Sequence, residues 1–435
     1  MKRLHVGVSA IGVGALLAAG FLLLRDGDAS VPPREHLAVA ATASRPNVLV
    51  DAQGTVIEEF TGDCASGRYA YLCTRVKNEL GEQLLARGGL TIKTAIDPRM
   101  QQAAQQAIDQ FVSRDDQPIA AQVMIVPGTG EIRAMATSKA PDDVLAFQQG
   151  STAMTYTLTA ALEGGMRFDD GFPYAAGYKA SSYTAFKNCK GQATGEPSFT
   201  ITNARQRHSE FTTLRSGTQA AENTFFMKLT ETVGLCESVQ AAKRLGLERG
   251  DGMPLQEYET FPLGVNEVDP VSVANSYATL AARGRRCQPR AVTEVRDGAF
   301  VRTFAAQCQE VLEPPVADAV NRVLAEAQSA NPLSLGRDVA AMEGTADAFT
   351  TAWYAGYTPD LTSAVALGHP LDPNRHKLSD ITIGGLHYDG VYGLSIPGPI
   401  WKATMRAVLP LLPRTAFVKP DADRFGGCRD HCAPS

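Results

Sequence analysis

The stretch Phe147–Met154 runs directly into the apolar segment Thr155–Leu162, and a glycine, Gly150, stands immediately before Ser151. This pattern predicts a turn that delivers the serine hydroxyl to the first turn of a buried helix, where unpaired backbone N–H groups favour negative charge. Several acyl-transfer enzymes present a nucleophile in this way. Residues i and i+3 share a helix face, so a base for this serine would stand at Met154. Methionine cannot accept a proton, so the pattern indicates a nucleophile site without its base.

Charge and composition argue against two kinds of partner. The 435 residues carry a formal net charge of −5 and show no basic stripe, so no nucleic-acid partner is expected. Three histidines, His369, His376 and His387, lack the spacing of a metal site such as His-Glu-x-x-His. We therefore predict neither a metal nor another cofactor.

The N-terminus predicts attachment to a membrane. Lys2 and Arg3 precede the 19 uncharged residues Val6–Leu24. As a helix this segment would rise about 28 Å, close to the thickness of the apolar core of a bilayer. The two positive charges favour the cytoplasmic side, so we expect a single-pass anchor over 1–25 with the rest of the chain on the extracytoplasmic side of the cell membrane. A cleaved signal peptide is the alternative, and its apolar run would usually be shorter.

The cysteines agree with export. Their number is even, which in an exported chain indicates disulfide bonds. The connectivity stays open at this point, and pairing between neighbours in sequence is the simplest arrangement. Cys428 and Cys432 form only a lone half of a zinc site, so zinc is not expected there. The eight cysteines are Cys64, Cys73, Cys189, Cys236, Cys287, Cys308, Cys428 and Cys432.

Composition and turn signals divide the chain into segments. After the anchor, we expect a linker over 26–46, a short connector over 47–88, a main domain over 89–418 and a disordered tail over 419–435. The linker is rich in proline, alanine and charge, and the tail is polar. A disulfide bond between Cys64 and Cys73 would close a short loop within the connector.

Periodicity within the main domain predicts its fold class. One hairpin is expected from Ile119–Val126 and Glu131–Ala136, and a second from Thr351–Gly356 and Leu361–Leu367. Helical patterns lie between the hairpins, including one over Leu214–Val233. The prediction is an α+β protein in which strands from both ends of the domain form an antiparallel sheet flanked by helices.

Seven stretches in order along the chain carry a family resemblance. They are Gly88–Asp97, Pro127–Ala136, Phe147–Ser151, Glu222–Phe226 with Gly234–Cys236, Leu263–Pro270, Ala352–Pro359 and Ile396–Trp401. Together they resemble the transpeptidase domain of penicillin-binding proteins, specifically of the bifunctional class A enzymes in their actinobacterial form, over roughly Arg45–Phe417. The resemblance implies a transpeptidase fold like that of penicillin-binding proteins and β-lactamases. It also implies the disulfide pairs Cys64–Cys73, Cys189–Cys236 and Cys287–Cys308.

The chemistry of that family needs three motifs around one cleft, and the first two are altered here. In Ser-x-x-Lys the serine attacks a D-Ala-D-Ala peptide or a β-lactam, and the lysine is the usual candidate base. The corresponding residues are Ser151 and Met154. Ser-x-Asn carries protons and binds the substrate amide, and it has become Ala221 to Asn223.

The third motif is altered as well. Lys-Thr-Gly holds the substrate carboxylate, and it has become Met342, Glu343 and Gly344, followed by Thr345. This exchange removes a cation and adds an anion where an anionic peptide end would bind. The resemblance implies an oxyanion hole made by the backbone N–H groups of Ser151 and Thr345, which side-chain substitution does not delete.

These departures predict a pseudoenzyme: a membrane-anchored, extracytoplasmic relative in which Ser151 is a vestigial nucleophile. Its expected role in peptidoglycan synthesis is non-catalytic, with the peptidoglycan stem peptide or cell-wall synthesis proteins as partners. The glycosyltransferase domain of class A enzymes is expected to be absent, because the stretch between Leu24 and Gly88 is too short for it. The alternative is a weakly active D,D-transpeptidase that is acylated at Ser151.

Overall fold

A computed structural model describes residues 45–62, 64, 69–140, 145–329, 332–370 and 375–434 of the chain. These residues belong to one compact unit, Ser44–Ser435. None of the helices in that part of the chain is long and apolar enough to cross a bilayer. The anchor predicted over 1–25 and most of the predicted linker lie outside the described residues.

Groups of strands and groups of helices follow one another along the chain. The strands are β1 (Asn47–Val50), β2 (Val56–Phe60), β3 (Thr91–Thr94), β4 (Ile119–Ile125), β5 (Ile132–Thr137), β6 (Phe147–Gln148), β7 (Gly171–Pro173), β8 (Gly177–Tyr178), β9 (Ile201–Thr202), β10 (Phe211–Thr213), β11 (Glu267–Val268), β12 (Arg285–Cys287), β13 (Val292–Asp297), β14 (Phe300–Thr303), β15 (Cys308–Glu310), β16 (Ala340–Thr345), β17 (Thr351–Thr358), β18 (Leu361–Gly368), β19 (Ser379–Ile383) and β20 (Leu386–Gly390). The helices are α1 (Ala70–Leu80), α2 (Glu82–Leu85), α3 (Pro98–Phe111), α4 (Met154–Glu163), α5 (Leu214–Gln219), α6 (Asn223–Val233), α7 (Leu235–Leu245), α8 (Pro270–Ala281), α9 (Pro314–Ser329), α10 (Pro397–Val408) and α11 (Ala422–Phe425).

The central sheet has five antiparallel strands in the order β16-β17-β18-β4-β5. Both predicted hairpins are present in it, and strands from the two ends of the main domain meet where β18 pairs with β4. The α+β prediction is therefore confirmed. Every residue of β17 and β18 is buried, because helices cover both faces of the sheet. The strand β16 lies at the edge of the sheet.

Successive residues of β17 enter two different cores, as the alternation of side chains along a strand requires. Trp353 packs in the larger core with α4, α8 and α9. Its neighbour Tyr354 packs in the second core, together with Trp401 of α10 and Ile108 of α3. The sequence predicts both aromatic residues as sheet core, and both are fully buried.

A second sheet draws on the segment 47–88 that the sequence predicts as a connector. Its strand order is β14-β13-β3-β1-β2, and β1 pairs in parallel with β3 of the main domain. The Asn47 side chain ties the segment further, because its amide donates to the Leu85 carbonyl at 2.9 Å and its oxygen accepts from Leu90 N at 3.1 Å. The segment is therefore part of the folded unit rather than a spacer.

Four disulfides join the eight cysteines. Three are the pairs that the resemblance implies, Cys64–Cys73, Cys189–Cys236 and Cys287–Cys308. The fourth joins Cys428 to Cys432. All four pair neighbours in sequence, which is the simplest arrangement.

The prediction of a disordered tail over 419–435 is wrong for the tail residues that the structure describes. They form the short helix α11, and its Phe425 is fully buried. Backbone hydrogen bonds dock the tail onto the loop after α4, from Phe168 N to Phe425 O at 2.9 Å and from Gly171 N to His431 O at 2.8 Å. Long-range contacts of this kind cannot be seen in a polar local sequence.

Candidate functional site

One cleft of about 620 Å³ gathers the positions of all three altered motifs. It lies between the turn that carries Ser151, the connection from α5 to α6, and the edge strand β16. The motif residues that line it are Ser151, Ala221, Asn223, Met342, Glu343 and Thr345. The structure therefore brings together residues that are far apart in sequence, as the resemblance implies.

Two glycines allow the serine turn to lie directly against β16. Gly150 has φ of +60°, and a Cβ there would stand 2.8 Å from the backbone nitrogen of Thr345. A Cβ on Gly344 would stand 2.6 Å from the Gln149 carbonyl oxygen. A larger residue at either position would force the turn and the strand apart.

The Ser151 hydroxyl is available. It sits in the 3-10 turn Gly150–Ala153 that leads into α4, and it lines the cleft. Within the part of the chain that the structure describes, the hydroxyl makes no hydrogen bond. The turn itself is held firmly, since Gln149 N donates to Gly264 O at 3.0 Å and Tyr277 Oη donates to Thr152 O at 2.9 Å.

The residue at the base position cannot accept a proton. Met154 is fully buried in the larger core and does not line the cleft. Among the described residues that line the cleft there is neither a lysine nor a histidine. The lining groups with a formal charge at neutral pH are two arginines, Arg205 and Arg207, and three carboxyl groups, Glu222, Glu343 and Asp347, which leaves one negative charge in excess.

Two backbone N–H groups remain beside the hydroxyl. The N–H of Ser151 lies in the first turn of its helix, where backbone donors lack intrahelical partners. Ala346 N donates to Thr351 O at 3.0 Å, and hydrogen-bonded pairs alternate along antiparallel strands. The N–H of Thr345 therefore points away from β17, toward the open edge of the sheet. These are the two donors that the resemblance assigns to an oxyanion hole.

The second motif lies in a strained turn that breaks the helix predicted over Leu214–Val233. The helix α5 ends in a Schellman motif, with Glu222 N donating to Gly217 O at 3.0 Å and Ala221 N donating to Thr218 O at 3.1 Å. Ala221 occupies the left-handed position with φ of +46°, where glycine is preferred. The sequence offers no glycine to signal this break.

The two residues that follow Ala221 are held by hydrogen bonds to partners other than Ser151. The Asn223 amide donates to the Thr202 carbonyl at 3.0 Å. Glu222 is 4% exposed and accepts from the Arg207 guanidinium through both Nε at 2.9 Å and Nη2 at 2.8 Å. The positive charge of Arg207 is therefore paired with the Glu222 carboxylate within the wall of the cleft.

The third motif places a carboxyl group where the family has a threonine. Met342 is 4% exposed and packs in the larger core, whereas Glu343 is half-buried on the cleft. Burial raises the pKa of the Glu343 carboxyl, while the charge of Arg205 and the backbone N–H of Leu394 oppose that shift. The Thr345 hydroxyl accepts from Gly393 N at 3.1 Å.

Reasoning from the sequence missed several residues that line the cleft, and Arg205 and Gln328 are two of them. Arg205 is exposed on the loop after β9, and Gln328 is 4% exposed near the end of α9. Neither belongs to a family motif, and neither lies near Ser151 in sequence. No local signal could have placed them in the cleft.

Among the residues that the structure describes, His369, His376 and His387 do not belong to a cluster of metal-ligand types. The rings of His369 and His376 lie 5.1 Å apart, and burial lowers the pKa of His369 to about 4. His387 lies between Asp380 and Asp389, at 3.7 and 3.6 Å. Within the described ranges, the single cluster with metal-ligand types is Asp170 with Cys428 and Cys432, and its two sulfurs are bonded to each other.

Comparisons with known proteins agree on one family. The family model of the penicillin binding protein transpeptidase domain matches residues 120–380. Penicillin-binding protein 1A of Mycolicibacterium smegmatis is 28% identical over 361 residues, which is 79% of this chain and 44% of that protein. Penicillin-binding protein 1A of Mycobacterium tuberculosis is 28% identical over 373 residues, which is 78% of this chain and 42% of that protein. The chain thus spans less than half the length of these curated relatives.

Solved structures show the same likeness. The penicillin-binding protein PonA1 from Mycobacterium tuberculosis is 25% identical with a TM-score of 0.66, covering 83% of this chain and 96% of that one. PonA1 has also been solved in complex with penicillin V, with 25% identity, a TM-score of 0.66 and coverage of 85% of this chain and 100% of that one. PBPA from the same organism matches at 17% identity with a TM-score of 0.61, over 84% of this chain and 99% of that one, which supports the fold alone.

Proposed function

This chain belongs to the penicillin-binding protein transpeptidase family, and from that membership we propose that it is a pseudoenzyme of peptidoglycan synthesis. It keeps the peptide-binding cleft of the family but does not transfer acyl groups. Its role is to hold the peptidoglycan stem peptide or a cell-wall synthesis protein at the extracytoplasmic face of the cell membrane.

The observation that carries the proposal is the buried methionine at the base position. Met154 occupies the core one helical turn after Ser151, and the cleft wall offers neither a lysine nor a histidine among the described residues. Loss of a general base slows a reaction by about 10²–10⁴-fold. Because nucleophile and base tend to fail together, a free hydroxyl gains little from the surviving N–H groups.

The charge of the third motif supports the proposal independently. A substrate carboxylate that entered the cleft beside β16 would meet Glu343 where the family supplies a lysine and a threonine. A like-charge contact near a protein surface costs about 4 kcal/mol at a separation of about 4 Å. Binding of a β-lactam carboxylate is disfavoured for the same reason.

Export and anchoring rest on separate features. The four disulfides are typical of a protein that folds outside the cytosol. The apolar segment Val6–Leu24 lies outside the described residues, and its length and flanking charges support a single-pass anchor. A pull-down from detergent-solubilised membranes that recovers cell-wall synthesis proteins would supply the partner.

Labelling with a fluorescent penicillin tests the proposal. Wild-type protein and the Ser151→Ala variant are incubated with the antibiotic and compared after denaturation, with the PonA1 domain as a reactive reference. We expect equal, background labelling of the two forms within minutes. Covalent labelling that requires Ser151, at ordinary antibiotic concentrations, would instead establish a weakly active penicillin-binding protein.

A further inference from the structure

Two buried polar atoms in the cleft have no hydrogen-bond partner in the part of the chain that the structure describes. They are Oε2 of Glu343 and Nε2 of Gln328, and both residues line the same cleft. Buried polar atoms are nearly always satisfied in folded proteins. An unpaired donor and an unpaired acceptor in one cleft therefore point to a ligand that pairs with both.

Tyr354 connects the two residues. Its phenolic hydroxyl donates to Oε1 of Gln328, which fixes the oxygen side of that amide and leaves the NH₂ group unpaired. Tyr354 is also the residue opposite Glu343 in the pairing of β16 with β17. The unpaired donor and acceptor thus belong to residues on either side of one buried aromatic residue, in the strand next to the edge strand β16.

The chemistry of the two atoms selects among peptide ends. A carboxylate has no proton for Glu343, and an ammonium group has no acceptor for the Gln328 NH₂. A carboxamide has both a carbonyl oxygen and an NH₂ group. It is also uncharged, which suits a wall with one negative charge in excess.

We propose that the cleft binds an uncharged carboxamide of a peptide, with its carbonyl accepting from Gln328 and its NH₂ donating to Glu343. The inference rests on the proposed function, since it names the class of ligand that the non-catalytic cleft holds. A peptide whose terminal or side-chain carboxyl group is amidated is the matching ligand.

Calorimetric titration of three matched peptides tests the inference. All three are N-acetylated and share one sequence ending in two D-alanine units; one ends in a free acid, one in a carboxamide, and one in an amine in place of the carboxyl group. The titrations use the Ser151→Ala variant of the full chain. Because that variant cannot be acylated, peptide preference is measured separately from any transpeptidase activity.

We expect the carboxamide to bind at least about 10-fold more tightly than the acid or the amine, since each alternative leaves a buried group unpaired. Gln328→Met should weaken carboxamide binding about 10-fold, and Glu343→Gln should reduce the preference over the acid. Gln110→Met is the matched control, because Gln110 is an exposed glutamine on α3 and does not line the cleft.

Three results would overturn the inference. Tighter binding of the acid would assign the cleft to a carboxylate held by Arg205. Tighter binding of the amine would show that Gln328 does not take part in ligand recognition. Absence of binding for all three peptides, in a variant that melts like the wild type, would show that the cleft takes no such ligand. A penicillin adduct on the wild-type serine would refute the proposed function and leave these titrations unaffected.

Discussion

Replacement of Asp170 by alanine should release the C-terminal tail. Asp170 is fully buried at the start of the segment that leads from α4 toward α5. Its Oδ1 accepts from Arg429 N at 2.7 Å and Asp430 N at 3.1 Å, and its Oδ2 accepts from Arg167 N at 2.7 Å. One carboxylate thus holds the backbone of the tail and of its own loop.

The size of the expected destabilisation follows from these hydrogen bonds. Burial alone would raise the pKa of Asp170, but the backbone N–H groups of Arg429, Arg167, His431 and Asp430 outweigh it, so the pKa lies below its usual value. Hydrogen bonds to a charged group contribute about 1.5–3 kcal/mol each, so the loss of the two short bonds should cost about 3–6 kcal/mol. Because the folded-state pKa is depressed, this contribution is present above the unfolded pKa of about 3.9 and is lost as the pH falls through the folded value.

Hydrogen exchange and denaturant unfolding would measure the effect. Asp170→Ala should abolish amide protection over 422–431 and lower the free energy of unfolding at pH 7. Asp169→Ala is the matched control, because its carboxylate is 45% exposed and lies 3.6 Å from Arg215. Such an exposed ion pair contributes about 0–1 kcal/mol. Equal protection of the tail in the two variants would refute the reasoning.

Three further predictions concern the cleft. Ala221→Gly should stabilise the protein by about 0.5–1 kcal/mol, because glycine adopts the left-handed backbone conformation of this position without strain. Ala220→Gly, at a right-handed position with φ of −85°, should destabilise the protein, and calorimetric melting of the two variants measures the difference. Gly150→Ala should lower the free energy of unfolding by more than about 2 kcal/mol, measured with denaturant, because the added Cβ would clash with β16. Gly191→Ala is the control: Gly191 has a similar φ of +76° with open space around it, so this substitution should lower the free energy of unfolding clearly less. Glu343→Gln should raise the melting temperature at neutral pH and lose that advantage at acid pH, since a raised folded-state pKa destabilises the fold only where the carboxyl is ionised; equal gains at both pH values would contradict the burial of this group.

Local patterns were sufficient for much of the fold. The hairpins β4–β5 and β17–β18 carry turn residues between apolar runs, and they form as predicted. Asp97 and Asp269, each followed by proline, cap α3 and α8 through bonds to Arg99 N and Val271 N. In such segments the sequence neighbours themselves decide the structure.

Features that depend on distant partners escaped prediction. The tail is ordered by a carboxylate more than half the chain away, and nothing in its own polar sequence indicates that contact. The break between α5 and α6 uses Ala221 in a conformation that alanine rarely adopts, so the helical pattern appears continuous. The unpaired NH₂ group of Gln328 comes to lie at the cleft only because α9 packs beside β16.

Acylation kinetics followed by intact-mass spectrometry test the central claim most directly. The unmodified protein is compared with one variant that carries Met154→Lys, Ala221→Ser, Met342→Lys and Glu343→Thr together, each in the presence of a penicillin. We predict no adduct on the unmodified protein within minutes and an adduct on Ser151 of the variant at least about 100-fold faster. An adduct on Ser151 of the unmodified protein at a similar rate, or a folded variant that stays unreactive, would contradict a cleft that has kept its shape and lost its proton acceptor.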